Sequence, residues 1–282
     1  MFLIDSSHDL AMANLEFITD KITPPATRSR VSRTRLLRML EKSVATGTST
    51  IINGRAGAGK TSLAMDFAKK CGRRVAWYKV DAPDADPIVF FNYLVRSIQE
   101  CRPGFGVESL ISLIEVARIE EMPWLADAFI YELAEGETTG PLLIVIEDLH
   151  LVSDSDWLVP FFSRFLPLLP SEVHLLITSR NLPAAPLWRM RSKQSLVVID
   201  EATLAFTLPE AIALFESYGR SSDQASTALD HTHGRASTLD ESAQFLQESG
   251  LRRSGTRDRV EGNNNGNAFN AVDHAFQGSV AD

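Results

Sequence analysis

The stretch Gly54-Arg55-Ala56-Gly57-Ala58-Gly59-Lys60-Thr61 decides how this chain folds, because it matches the P-loop pattern G-x-x-x-x-G-K-[ST] at every fixed position. Its glycines let the backbone turn tightly, so that the N–H groups form an anion nest ahead of a helix. We expect Lys60 to reach the β- and γ-phosphates of a nucleotide and Thr61 to hold Mg²⁺. The predicted nucleotide-binding residues here are Gly54, Arg55, Ala56, Gly57, Ala58, Gly59, Lys60, Thr61 and Ser62.

The flanking residues supply the context that this motif requires. Residues 49–53 are short and β-branched, which predicts a strand, and residues 62–70 carry apolar side chains at helical spacing. A strand–loop–helix arrangement is the setting in which a P-loop binds phosphate. We therefore favour phosphate binding over the alternative of a glycine-rich turn that binds nothing.

A second informative stretch runs from Leu142 to Asp148. Five consecutive apolar residues predict a strand buried on both faces of a parallel sheet, and Glu147 and Asp148 follow at its carboxyl end. Ligands bind at that end of such sheets. The pattern is that of a Walker B strand, which organises the Mg²⁺ and its water shell. We expect these acids to face the P-loop from a neighbouring strand, with Glu147 and Thr61 holding the metal.

Alternating strands and helices predict the fold class. Besides 49–53 and 142–148, the predicted strands are 74–80, 173–180 and 195–200. The predicted helices are 31–46 with Ser32 as N-cap, 62–70, 87–100, 109–117, 124–134, 154–169, 208–218 and 224–247, the last broken near Gly234. The result is an α/β P-loop NTPase fold, with a five-stranded parallel sheet, flanking helices and a small C-terminal helical satellite.

The same pattern divides the chain into four parts. Residues 1–20 are weakly patterned and are interpreted as an N-terminal arm, residues 21–203 as the P-loop core, and residues 204–250 as the small helical domain. From 251 to 282 the chain becomes polar and asparagine-rich, which predicts a disordered tail.

Composition excludes several classes of protein. The net charge of -8 and the pI of about 5.3 give no global basic field for nucleic acid. The two cysteines form no C-x-x-C or zinc spacing, which is typical of a reducing compartment. No basic and apolar leader opens the chain, and its longest wholly apolar run is too short to cross a bilayer. We therefore expect a soluble, cytoplasmic protein.

Two groups of residues suggest metal sites but are better explained otherwise. Asp81, Asp84 and Asp86 lack the glycine and the twelfth-position glutamate of an EF-hand, so we favour a turn in which Asp86 is the N-cap of the next helix. His231 and His233 have no evident third ligand.

The ordered set of motifs resembles the nucleotide-binding module of STAND-class signalling ATPases, in particular that of LuxR-type (maltose-regulon-activator-like) transcriptional regulators. The resemblance runs from about residue 21 to about residue 250. The segments that carry it are Lys21–Pro25 with Arg33, the P-loop, Val75–Trp77 leading to Asp81, Asp86-Pro87 followed by Phe90 or Phe91 and Tyr93-Leu94, Ile146–His150, Thr178–Arg180 and Leu187–Arg191.

This resemblance implies a function. Bound ATP or ADP acts as a switch, ATP promotes self-association, and slow hydrolysis resets the protein. By position, Arg33 lies near the nucleotide and Arg180, at the end of a strand, senses the γ-phosphate. The implied cofactors are ATP and Mg²⁺, and the implied partner is another protein or a second copy of the chain.

Two departures from the family limit what the resemblance implies. The family usually has Asp at the first Walker B acid, where this chain has Glu147, so hydrolysis could be impaired; Asp148 then polarises the attacking water. The family also continues through a helical-repeat sensor into a DNA-binding helix-turn-helix, whereas only a polar tail follows here. No direct DNA binding is therefore predicted.

Two functional hypotheses follow. The first is a switch-type, slow ATPase in which Lys60, Asp148 and Arg180 are the catalytic residues. The second is a non-catalytic nucleotide-binding accessory, or a truncated regulator, that acts through protein contacts. A third reading, a small-molecule kinase, needs an acceptor pocket and lid for which the sequence has no motif.

Overall fold

A computed structural model describes residues 18–26, 30–47, 49–106, 110–135, 140–181 and 196–254. The segment Leu187–Arg191, most of the predicted N-terminal arm and residues 255–282 of the predicted tail lie outside these ranges. Within them, five strands form one sheet. They are β1 (Ser49–Asn53), β2 (Arg74–Lys79), β3 (Leu142–Glu147), β4 (Val173–Ser179) and β5 (Leu196–Ile199).

The sheet is parallel throughout and has the strand order β2-β3-β4-β1-β5. The predicted five-stranded parallel sheet of a P-loop NTPase is therefore confirmed. One detail of the prediction was wrong, because β4 lies between the P-loop strand β1 and the acid-bearing strand β3. Glu147 reaches Thr61 of the P-loop from two strands away, past the carboxyl end of β4.

Helices cover both faces of the sheet. They are α1 (Thr34–Thr46), α2 (Lys60–Lys70), α3 (Pro87–Gln99), α4 (Leu110–Val116), α5 (Met122–Glu135), α6 (Leu158–Phe165) and α7 (Glu201–Leu204), followed by α8 (Leu208–Ser217), α9 (Ser222–Thr232) and α10 (Ala236–Ser254). One face of the sheet packs against α1 and α2, and the other against α3 to α6, which contribute a cluster of aromatic side chains. Burial on both faces explains why β3 is apolar along its whole length.

The last three helices, α8 to α10, form a helical unit (residues 208–254) with a hydrophobic core of its own. Gly234 has a φ of 74°, a left-handed conformation that favours glycine, and it separates α9 from α10. The predicted break near this glycine is confirmed. The predicted domain boundaries at 203 and 250 fall inside α7 and α10, respectively.

Helix starts show where local patterns succeed and fail. Asp86 accepts a hydrogen bond from the N–H of Ile88 at 2.8 Å, so its predicted role as N-cap of α3 is confirmed. Ser32 does not cap α1, whose N-cap position is taken by Arg33. The Ser32 hydroxyl instead donates to Asp66 on α2 at 2.8 Å. None of the helices in the described residues is long and apolar enough to span a membrane.

Candidate functional site

The P-loop (residues 54–61) leads from the end of β1 into the first turn of α2. Gly57 and Gly59 have φ values of 77° and 88°, which residues other than glycine adopt at a cost. Both are also closely approached. A Cβ at Gly57 would collide with the Ser237 side chain, and one at Gly59 would lie 3.1 Å from the Cβ of Ala236. The glycines are therefore required by the loop's own conformation and by the start of α10, which lies against it.

Lys60 is folded back into the loop. Its ammonium group donates hydrogen bonds to the carbonyl oxygens of Gly54 at 2.7 Å and Arg55 at 3.1 Å, and the residue is only 7% exposed. Burial lowers the pKa of Lys60, and the positive charge of Arg180 lowers it further. Phosphate oxygens would give this buried cation the counter-charge that carbonyl groups do not.

The two predicted metal ligands are in contact. The Thr61 hydroxyl donates a hydrogen bond to Oε1 of Glu147, so the longer side chain of this acid spans the distance from β3 to α2. Glu147 is 3% exposed, and its Oε2 is buried without a hydrogen-bond partner among the described residues. Burial raises the pKa of Glu147, the charge of Asp148 raises it further, and the hydrogen bond from Thr61 lowers it. A hydroxyl and a carboxylate with a free oxygen are the donors that Mg²⁺ prefers, so these residues fit the metal.

Asp148 lies at the turn that follows β3. Its φ of 59° and ψ of 36° are left-handed, which is uncommon for a residue other than glycine. Its N–H donates to the Thr178 hydroxyl at 3.0 Å, and its Oδ1 lies 3.7 Å from Nδ1 of His150. Thr178 is on β4, so the strand inserted between β1 and β3 holds the turn in place.

The two predicted arginines both lie beside the P-loop. Arg180 is exposed, and its charge acts on Lys60 and His150. Arg33 is buried and lies 3.4 Å from the position of a Cβ on Gly59. Its guanidinium also donates to the carbonyl of Leu204 and stacks on Phe206, 4.6 Å from the ring centre. Burial lowers the pKa of Arg33 to about 10. Arg33 therefore joins the P-loop to the chain that leads into the helical unit.

Not every predicted loop residue offers a free N–H group. The N–H of Gly54 donates to Ser179 at 3.2 Å and that of Ala58 donates to Arg55 at 3.2 Å, so both are used inside the protein. The N–H and guanidinium of Arg55 are held by Glu201, at 2.9 and 2.8 Å.

Contacts from the start of α10 were not predicted from the sequence. Arg235 donates to the carbonyl of Ala56 at 2.6 Å, and the N–H of Ser237 donates to the carbonyl of Gly57 at 2.9 Å. No local motif marks these residues, because they meet the P-loop only through the tertiary fold. The only hint of a special position in the sequence was the neighbouring Gly234, where the helical pattern breaks.

A cavity of about 580 Å³ opens between the P-loop, residues 30–33 and the helical unit. Its walls include Thr61 and Ser62 at the start of α2, with Phe206 and Ala236 opposite. Asp240 also lines it and accepts a hydrogen bond from the Tyr218 hydroxyl at 2.9 Å. The cavity has the size and the mixed polar and apolar lining of small-molecule sites, and it is continuous with the P-loop.

Comparison with known proteins gives a consistent result. The chain is 30% identical over 227 residues to the HTH-type transcriptional regulator MalT of Serratia proteamaculans, and 32% identical over 228 residues to that of Yersinia enterocolitica. Each match covers 79% of this chain and 24% of the relative, so the chain spans about a quarter of the length of these regulators. No protein-family model matches the chain.

A solved structure shows the same fold. A Signal Transduction ATPase with Numerous Domains (STAND) protein with a tetratricopeptide repeat sensor, from Pyrococcus horikoshii, superposes with a TM-score of 0.50 at 17% identity. The match covers 91% of this chain and 34% of that one. The resemblance predicted from the motifs, to the STAND-like module of regulators of the MalT type, is confirmed.

Proposed function

We propose that this chain, a STAND-like P-loop module similar to part of the MalT regulators, binds ATP with Mg²⁺ and acts as a slowly hydrolysing signalling switch. The observation that carries the proposal is the contact between Thr61 and Glu147. It brings the P-loop and the Walker B acid together at one edge of the sheet, although β4 separates their strands. A purely structural role would not need a buried carboxylate oxygen without a partner at that point.

The proposal gives each residue a role. Lys60 exchanges its carbonyl partners for the β- and γ-phosphates, and Thr61 and Glu147 hold the metal, which supplies charge neutralisation when bound. Asp148 accepts a hydrogen bond from the attacking water and orients it. Arg180 reads the γ-phosphate, a role supported by its exposure and by the effect of its charge on the pKa of Lys60.

The cavity beside the P-loop is proposed to take the nucleoside. Its walls come both from the core and from the helical unit, so a bound nucleotide contacts both at once. Arg33 lies at the junction, with one face toward Gly59 and the other on Phe206. Nucleotide occupancy is thereby coupled to the position of the helical unit, and this coupling is the physical basis of a switch.

The partners remain part of the proposal. The relatives are transcriptional regulators of which the matched segment is 24%, so we propose that the chain corresponds to their nucleotide-binding part. We assign the module itself protein contacts or ATP-dependent self-association, and no direct DNA contact.

A second candidate, a nucleotide-binding module that does not hydrolyse ATP, is favoured by one observation. Burial raises the pKa of Glu147, and a carboxylate that is harder to ionise holds a metal less tightly.

A single-turnover experiment separates these candidates. The purified chain is mixed with a substoichiometric amount of γ-labelled ATP and Mg²⁺, and bound nucleotide and released phosphate are followed for hours. We expect all of the added ATP to be bound and phosphate to be released slowly. Binding without release would support the second candidate, and an absence of binding would refute both.

A further inference from the structure

His150 follows the candidate site residues Glu147 and Asp148 after the carboxyl end of β3, and it has no role in the proposed function. His150 lies in a short 3₁₀ helix, Leu149–Val152, that begins directly after Asp148. Leu149 and Val152 are 2% and 1% exposed, so the turn is anchored in the core. The Ser153 hydroxyl donates to the His150 carbonyl at 2.9 Å and closes the turn.

The imidazole of His150 is almost fully enclosed but is not satisfied. Its side chain is 9% exposed, and its Nδ1 is buried without a hydrogen-bond partner among the described residues. The nearest charged acceptor is Oδ1 of Asp148, at 3.7 Å, slightly beyond hydrogen-bonding distance. A buried N–H or ring nitrogen without a partner is costly, so the arrangement indicates a bond that forms when Asp148 rotates slightly.

The charges around this ring belong to the candidate site. Asp148 attracts a positive ring, whereas Arg180 and Lys60 repel it, and burial together with these cations lowers the pKa of His150. The ring is therefore neutral at ordinary pH and carries one N–H. Asp148 is the carboxylate beside it, so placing that hydrogen on Nδ1 gives the buried nitrogen an acceptor.

We propose that His150 is a positioning residue for Asp148: its neutral imidazole donates Nδ1–H to the carboxylate and holds it in the orientation that binds the attacking water. The inference rests on the proposed function, in which Asp148 orients water. The left-handed backbone at Asp148 fixes the start of this side chain, the Thr178 hydroxyl fixes its N–H, and His150 fixes its far end. No proton is transferred to the ring in this role.

The chain contains its own reference for a structural histidine. His174 is 1% exposed, and both of its ring nitrogens have partners, Thr50 Oγ1 at 2.9 Å and the Gly47 carbonyl at 3.2 Å. His150 differs because its unpartnered nitrogen points at a catalytic candidate, not at a backbone carbonyl.

The first test needs no nucleotide. In ¹⁵N-histidine-labelled protein at neutral pH, long-range ¹H–¹⁵N correlations show which ring nitrogen carries the hydrogen, and the spectrum of His150→Leu assigns the signal. We expect Nδ1–H for His150, and a shift toward Nε2–H in Asp148→Ala. His174 in the same spectra is the control and should not change. An Nε2–H ring in the wild type, or a tautomer unaffected by Asp148→Ala, would overturn the proposal.

The second test uses single-turnover hydrolysis with two matched variants. His150→Asn places an amide N–H close to the position of Nδ1, whereas His150→Gln places it close to Nε2. We expect the Gln variant to release phosphate about tenfold or more slowly, the Asn variant to stay within a few-fold of the wild type, and both to keep the wild-type Kd for ATP. Equal rates for the two variants would contradict the role of Nδ1. If the wild type binds ATP but releases no phosphate, the proposed hydrolysis fails, and the tautomer measurement alone decides whether His150 holds Asp148.

Discussion

In the part of the chain that the structure describes, fewer buried polar groups lack a hydrogen-bond partner at the amino end of the sheet than at its carboxyl end. At the amino end, His174 on β4 bonds to Thr50 on β1, Thr50 bonds to Ser43 at 2.6 Å, and the Gly47 carbonyl takes the other ring nitrogen. At the carboxyl end, an oxygen of Glu147 and a nitrogen of His150 are buried without partners among the described residues. Asp148 lies between them, in a left-handed conformation.

Whether a buried polar group has a partner within the protein distinguishes groups that stabilise the fold from groups that a ligand would satisfy. Buried polar atoms in folded proteins are nearly always hydrogen-bonded, and exceptions concentrate at functional sites, where a ligand completes them. The amino end follows this pattern at His174, Thr50 and Ser43, although the Ser49 hydroxyl there is buried without a partner among the described residues. The carboxyl end departs from it at Glu147, which contacts Thr61 of the P-loop, and at His150, which lies beside Asp148.

The largest effect on ATP binding should follow from removing the cation at the carboxyl end. Lys60→Ala eliminates a charge-assisted contact with the phosphates, so the Kd for ATP should rise about tenfold to a hundredfold. Fluorescence titration with a labelled nucleotide measures it. Lys69→Ala, an exposed lysine on the same helix, is the matched control and should bind as the wild type does. An unchanged Kd in Lys60→Ala would refute the site.

The largest effect on stability should follow from a change at the amino end, and it should leave ATP binding unaltered. His174→Leu leaves Thr50 and the Gly47 carbonyl with one partner fewer in a buried place, which should lower the free energy of unfolding by about 2 to 3 kcal/mol. Urea denaturation measures this loss. The Kd for ATP should not change. A higher Kd in a folded variant would show that the amino end also contributes to ATP binding.

The third prediction concerns pH. Burial lowers the pKa of His174 to about 4, against 6.5 in the unfolded chain, so the unfolded state binds more protons below pH 6.5. The stability that the neutral His174 ring contributes is complete above pH 6.5. It is lost as the pH falls toward 4, and about 2 kcal/mol of it is lost at pH 5. Urea denaturation at pH 7 and pH 5 measures this fall in the free energy of unfolding. We expect the fall to be smaller in His174→Gln than in the wild type, because the variant has no imidazole at this position. Identical losses would mean that the ring is not held neutral.

The smallest shift is expected at the strained turn. Asp148→Asn keeps a side chain that tolerates the left-handed conformation and removes a negative charge beside Glu147, so it should stabilise the protein by about 0.5 to 1 kcal/mol. Thermal unfolding without nucleotide measures the gain, and the rate of phosphate release should fall. A destabilised variant would show that Asp148 serves the fold instead.

Local patterns predicted most of the sheet. The apolar run at 142–146 and the β-branched stretch at 49–53 each report burial on two faces, and burial is a property of the strand itself. The order of the strands in the sheet depends on the whole fold and not on any one strand. For this reason the position of β4 between β1 and β3 was not predicted. The prediction that Ser32 caps α1 was wrong for a related reason. The Ser32 hydroxyl donates to Asp66 on another helix, and this tertiary contact overrides the capping preference of serine.

The candidate site divides in the same way. Lys60, Thr61 and Glu147 were predicted because motif spacing encodes a phosphate nest and a metal pair. Arg235 was not predicted, because its contact with the Ala56 carbonyl joins positions that lie 179 residues apart and that no periodicity connects.

The contact between α10 and the P-loop limits which substitutions this protein can accept. One of its bonds runs from the N–H of Ser237 to the carbonyl of Gly57, main chain to main chain. Every residue except proline has an N–H to donate at position 237, whereas a Cβ at position 57 would collide with the Ser237 side chain. Substitutions at position 57 should therefore disrupt the contact between the loop and α10, whereas at position 237 only proline removes the hydrogen-bond donor.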